Sequence, residues 1–126
     1  GVVAYCEERG IGFLAYSPVG GGRLNRKLPE HPVLRPMAAK LGVSAHALVL
    51  AWVLSRSPAV IVIPSARRVE HALDSVRAGE LELSAEDLAA ALDALVDCGA
   101  WISALLGRDN GSRVGRAVLA KRPSLQ

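Results

Sequence analysis

Apolar and polar positions fall in blocks along this chain, and the blocks predict helices and strands in mixed order. Val2 to Arg9 reads as the end of a helix, with Gly10 as its stop. Ile11 to Tyr16 is a short, continuously apolar run, which fits a buried strand. Pro18 and Gly20-Gly21-Gly22 then argue against regular structure, and the polar stretch to His31, broken by Pro29, extends the loop. From Pro32 to Leu41, the positions of Val33, Leu34, Met37, Ala38 and Leu41 fit a short amphipathic helix closed by Gly42. Ser44 caps a second helix, Ala45 to Arg56, with Leu48, Ala51, Trp52 and Ser55 on one face. Pro58 ends it, and Val60 to Ile63 is the second apolar strand. Residues 69–78 predict a helix turning Ala72, Leu73 and Val76 inward and stopping at Gly79. Ser84 and Asp87 form a capping-box pattern ahead of a helix from Ala85 to about Val96.

Two unalternating apolar strands joined through helices imply parallel pairing in an α/β layer. Two strands cannot cover both faces of a sheet or close a barrel, so the pattern reads as a piece of something larger. Exposed strand edges on such a piece favour self-association. Hydrophobic residues make up 51% of the chain and aromatics only 4%, so the core is aliphatic. No apolar run approaches the ~20 residues of a membrane span, and no signal segment opens the chain. Cys6 and Cys98 share no metal-like spacing and fit buried thiols in a cytoplasmic protein without a metal site.

Charge is unevenly distributed. Residues 107–126 carry Arg108, Arg113, Arg116, Lys121 and Arg122 against Asp109 alone, a balance of +4 that leaves −1 for residues 1–106. The basic character belongs to a Gly- and Ser-containing tail, which reads as solvated and flexible. No aromatics interleave with these charges, which argues against nucleic acid as a partner.

The candidate chemistry sits where each strand gives way to a loop. Val60-Ile61-Val62-Ile63-Pro64-Ser65-Ala66-Arg67-Arg68 runs from a strand into two arginines and then a helix start. Unpaired backbone N–H groups and the positive dipole end favour an anion there, and arginine adds a planar fork matched to phosphate. Ala15-Tyr16-Ser17-Pro18-Val19-Gly20-Gly21-Gly22-Arg23-Leu24 repeats the strand-then-loop layout with glycines that allow close main-chain approach. Together they suggest a dinucleotide phosphate pocket.

Five stretches in order resemble the C-terminal part of the aldo-keto reductases: Ala4-Tyr5-Cys6-Glu7-Glu8-Arg9-Gly10-Ile11; Tyr16-Ser17-Pro18 with its glycines; Ala47 to Leu54; Ile63-Pro64 with Arg67, Arg68 and His71; and Leu83 to Leu88. The resemblance spans residues 1–95 as part of that reductase domain and leaves residues 96–126 as a terminal helix, through Trp101, Ile102, Leu105 and Leu106, and tail. It implies the last two strands and helices of a (β/α)8 TIM barrel, incomplete on its own, with Ile11–Tyr16 as the seventh strand and Val60–Ile63 as the eighth. It implies an NADP(H) cofactor and, in the intact protein, reduction of a small aldehyde or ketone by hydride transfer. Tyr16 would then stack on the nicotinamide, while Ser17, Val19, Gly20, Gly22 and Leu24 lie along the pyrophosphate. Ser65, Ala66 and Arg67, helped by Arg68 and His71, would meet the adenosine 2′-phosphate, and Asp74 and Ser75 the adenine. Ser75 departs from the family's usual Asn and lacks an amide's donor-plus-acceptor fork. No residue here matches the family's catalytic Tyr, Lys, Asp and His, so the chain is expected to be inactive alone. The remaining alternative is a non-catalytic dinucleotide-binding or self-associating barrel fragment. Trp52 reads as packing, and His31 and His46 as surface residues.

Overall fold

The computed structural model describes residues 1–98 and 118–121. The chain begins with helix α1 (Val2–Glu8), whose Val3 and Cys6 are buried, and continues into strand β1 (Ile11–Ala15). Next come α2 (Gly21–Lys27), a 3-10 turn (Leu28–Glu30), α3 (Leu34–Leu41) and α4 (Ala45–Leu54). Strand β2 (Val60–Val62), α5 (Val69–Glu80), α6 (Ala85–Cys98) and β3 (Val118–Lys121) complete the order. The expected terminal-helix extension through Trp101 to Leu106 lies outside the described residues, as does the side chain of Cys98.

The sheet order is β2-β1-β3. β1 and β2 pair in parallel, as expected, with Phe13 opposite Val60, Leu14 opposite Ile61 and Ala15 opposite Val62. β3 joins the other edge of β1 antiparallel, an element that the hydrophobic pattern does not flag. The two apolar runs read as buried strands, but helices cover only one face of the pair. Phe13, Ala15 and Val60 point into the core, whereas Ile61, on the other face, is 44% exposed. Side chains two apart share a strand face, so Leu14 and Ile61 line the uncovered one. Among the described residues no second layer lies against it, which is why Leu14 is only half-buried and Ile61 exposed in a continuously apolar sequence.

The core is organised around α4. Ser44 caps this helix as expected, its Oγ accepting the Ala47 N–H at 3.0 Å. The single inward face read from sequence is too narrow, because Ala45 and every residue from Ala47 to Val53 are buried. A helix that is apolar all round belongs at the centre of its domain. One side meets Val3, Cys6, Phe13, Leu34 and Leu95; another presents Ala47, Leu50 and Ala51 to Ala78 of α5. Ser55 faces outward instead of inward, its hydroxyl donating to the Trp52 carbonyl at 2.6 Å. The indole N–H of Trp52 donates to the Leu88 carbonyl at 3.1 Å and ties α4 to α6.

Three local expectations are corrected. The long loop after β1 contains a helix, α2, because left-handed glycines start it instead of preventing it, and Pro29 sits in the first turn of the 3-10 segment. Val33 is exposed and precedes α3, although Leu34 and Ala38 are buried as expected. Helix α5 runs through Gly79 to Glu80, and its Ala72, Leu73 and Val76 are exposed instead of inward. It docks on α4 through Ala78 and Asp74, so its apolar stripe faces away from that seam. The capping pattern at α6 holds on one side, with the Asp87 N–H donating to Ser84 Oγ at 3.1 Å. Among the described residues no single helix is long and apolar enough to cross a membrane.

Candidate functional site

Parallel pairing places the C-terminal ends of β1 and β2 at the same end of the sheet. Ala15 lies opposite Val62, so Tyr16 and Ile63 leave side by side on strands about 4.8 Å apart. Both loops singled out in the sequence therefore start from one edge. Tyr16 follows the parity of Leu14 toward the uncovered face and is 69% exposed.

Ser17 turns the chain sharply. Its φ of 50° is left-handed, a conformation that a non-glycine residue holds only at a cost of about 1–3 kcal/mol. The Ser17 carbonyl accepts the Gly20 N–H at 2.8 Å, closing a tight turn over the buried Pro18. Gly20 has φ +83°, and a Cβ there would lie 2.3 Å from Leu24 Cδ2. Only glycine fits this turn without moving Leu24. Gly20→Ala is expected to destabilise the chain by about 1–3 kcal/mol in urea denaturation, from the backbone penalty and the clash together. An unchanged midpoint would show that the turn is not held in this form.

Helix α2 is tethered to α4 by a pair of bonds that sequence reading missed. His46 Nε2 lies 2.9 Å from the Asn25 carbonyl oxygen and 2.6 Å from Asn25 Oδ1. A carbonyl oxygen can only accept, so Nε2 carries the proton and donates. His46 is thus a half-buried bridge and not the surface residue expected. His31, also expected at the surface, is half-exposed and caps α3, its Nδ1 accepting the N–H groups of Val33 at 3.2 Å and Leu34 at 3.3 Å.

At the second junction Ser65, Ala66, Arg67, Arg68 and His71 are all exposed. Arg68 is the extended residue preceding α5 and makes no side-chain cap bond, which leaves the first-turn amides to other acceptors. Asp74 is half-buried and accepts the Ser44 hydroxyl. Its charge stands near the positive end of α4, where the dipole favours it. Ser75 Oγ donates back to the His71 carbonyl at 2.9 Å. Asp74 and Ser75 thus already hold protein partners, whereas the two arginines project into solvent. Among the described residues, no group of three His, Cys, Asp or Glu side chains could hold a metal ion.

The model of the aldo/keto reductase family matches residues 1–97, so the chain belongs to that family. It is 33% identical over 89 residues to the methylglyoxal reductase YeaE of Escherichia coli, covering 70% of this chain and 31% of that protein. It is 29% identical over 93 residues to the NADP-dependent D-sorbitol-6-phosphate dehydrogenase of Malus domestica, covering 69% and 29%. Among solved structures, the aldose reductase of Giardia lamblia aligns with a TM-score of 0.61 and 30% identity, over 70% of this chain and 30% of that one. The chain spans less than a third of the length of these relatives. Its two parallel strands and their helices form an α/β fragment that aligns with part of the (β/α)8 barrels of this family.

Proposed function

We propose that this chain supplies the dinucleotide-clasping end of an NADP(H)-dependent oxidoreductase, with β1 and β2 serving as the seventh and eighth barrel strands. The observation that carries the reading is the parallel register of Ala15 with Val62, which starts the glycine turn and the arginine turn from one sheet edge. Barrel enzymes place their sites at this end of the strands. The site chemistry fits the cofactor. The tight Ser17–Gly20 turn, followed by Gly21 and Gly22 with open space where a side chain would sit, suits close main-chain approach to a pyrophosphate, and exposed Tyr16 offers a ring for the nicotinamide. Val19 lies in the same turn, and Gly22 and Leu24 follow in α2. Arg67, with Ser65, Ala66, Arg68 and His71, would receive the 2′-phosphate, while Asp74 and Ser75 flank the adenine.

The bound cofactor supplies the hydride, and the complete protein reduces an aldehyde or ketone. This chain's residues bind and orient; the groups that move protons to the carbonyl lie elsewhere. A second reading, self-association, is favoured by the exposure of Ile61 on β2, whose outer edge carries no strand among the described residues. NADPH fluorescence titration of the chain, alongside size-exclusion chromatography, separates the two. Saturable binding at least tenfold tighter for NADPH than for NADH is the expected result. A uniform oligomer that leaves NADPH fluorescence unchanged would overturn the cofactor reading.

A further inference from the structure

We propose that His46 is a positioning residue for the dinucleotide, acting through Asn25 to hold the glycine-rich α2 segment in its binding conformation; this rests on the cofactor reading above. The segment needs an external hold. Helix α2 has seven residues and begins at left-handed glycines with no side-chain cap, so its own backbone bonds do little to keep it folded. Glycine also loses more conformational freedom on ordering than any other residue. An unrestrained Gly20-Gly21-Gly22 run would therefore have to be ordered at the moment of binding, at the expense of affinity.

His46 supplies the restraint. It sits in the first turn of α4, the most deeply buried helix of the molecule, and its Nε2–H reaches both oxygens of Asn25. Among the described residues, these are the side-chain hydrogen bonds that join α2 to another helix. The ring is carried by a buried helix and holds α2 through Asn25, in its C-terminal half. The burial of Leu28, just beyond α2, anchors the segment's far end. Between Leu28 and the Ser17–Gly20 turn, His46 is the intermediate fixed point.

The mechanism sets a distinct pattern of effects. A residue that orders the shared pyrophosphate loop changes NADPH and NADH affinity equally, unlike one that meets the 2′-phosphate. His46→Ala is expected to weaken both cofactors by about tenfold, the value of one hydrogen bond shared between two acceptors. It should also speed amide hydrogen exchange across residues 21–28, while leaving exchange in α6 unchanged. His46→Gln can place an amide N–H near the position of Nε2, and it should restore both affinity and protection to within about threefold. That rescue separates the hydrogen bond from mere loss of packing.

The test is NADPH and NADH titration of the unaltered chain and both variants, with exchange measured on each. Wild-type affinity in His46→Ala would overturn the proposal and leave the cofactor reading standing. So would failure of His46→Gln to rescue, or a loss confined to NADPH. An unaltered chain that binds neither cofactor would instead remove the cofactor reading, and the proposal with it.

Discussion

Trp52→Ala is expected to lower the stability of the chain by about 3–5 kcal/mol, the largest effect of any single substitution considered. Its side chain is fully buried in the cluster that joins α1, β1, α3, α4 and α6. Truncation leaves a cavity that this close-packed surround cannot fill, and it removes the indole N–H bond to the Leu88 carbonyl that ties α4 to α6. The Arg56 guanidinium, 5.1 Å from the ring centre, loses its aromatic partner as well. For a chain of this size the melting temperature should fall by roughly 10–20 °C, read by far-UV circular dichroism. Trp52→Phe divides the effect. It retains most of the packed volume and loses the hydrogen bond, so it should cost more than about 1 kcal/mol but clearly less than alanine. A loss below about 1 kcal/mol for Trp52→Ala would show that α4 is not the centre of the core.

How far such features could be read beforehand depends on whether their cause is local. The Ser44 cap is a short-range signal, a hydroxyl three residues before an amide that needs an acceptor, and the sequence shows it directly. Strands β1 and β2 were legible as apolar runs, and their parallel pairing followed from the helices between them; β3 was not. The burial of α4 on all sides was not, since that depends on how many elements surround it and not on its own spacing. Helix α2 was hidden for another reason. Its glycines and the nearby prolines are breakers in most contexts, yet here left-handed glycines start the helix and Pro29 falls in a first turn.

Stripe and partner also part company on α5. The spacing of Ala72, Leu73 and Val76 predicts an inward face, yet all three are exposed, because periodicity cannot say what covers a stripe. The helix instead docks through Ala78 and the Asp74–Ser44 bond. His46 carried no signal at all. A histidine flanked by alanines at a helix start looks solvated, and only the path of the chain brings Asn25, 21 residues earlier, to its ring. At the candidate site, the glycine and arginine turns were legible as residue types. That both begin at the same end of the parallel pair required the register of Ala15 with Val62.

On the proposed cofactor reading, that shared start gives Arg67 its consequence. Arg67→Glu is expected to weaken NADPH binding about a hundredfold and to leave NADH within about threefold of its original affinity. The two cofactors differ by one phosphate on the adenosine ribose, so a residue that meets only that group discriminates between them. Reversal removes a charge-assisted bond and adds repulsion between like charges, and the two losses compound. Because Arg67 is exposed, added salt screens the attraction, so the NADPH preference of the unaltered chain should narrow between 50 and roughly 500 mM salt. Arg67→Lys retains the charge without the planar fork and should fall between the two, about tenfold weaker for NADPH. Competing fluorescence titrations of both cofactors measure the ratio. Equal losses for NADPH and NADH would mean that Arg67 perturbs the turn as a whole. Unchanged affinity for both cofactors in all variants would place the 2′-phosphate beyond its reach and hand that role to Arg68 or His71.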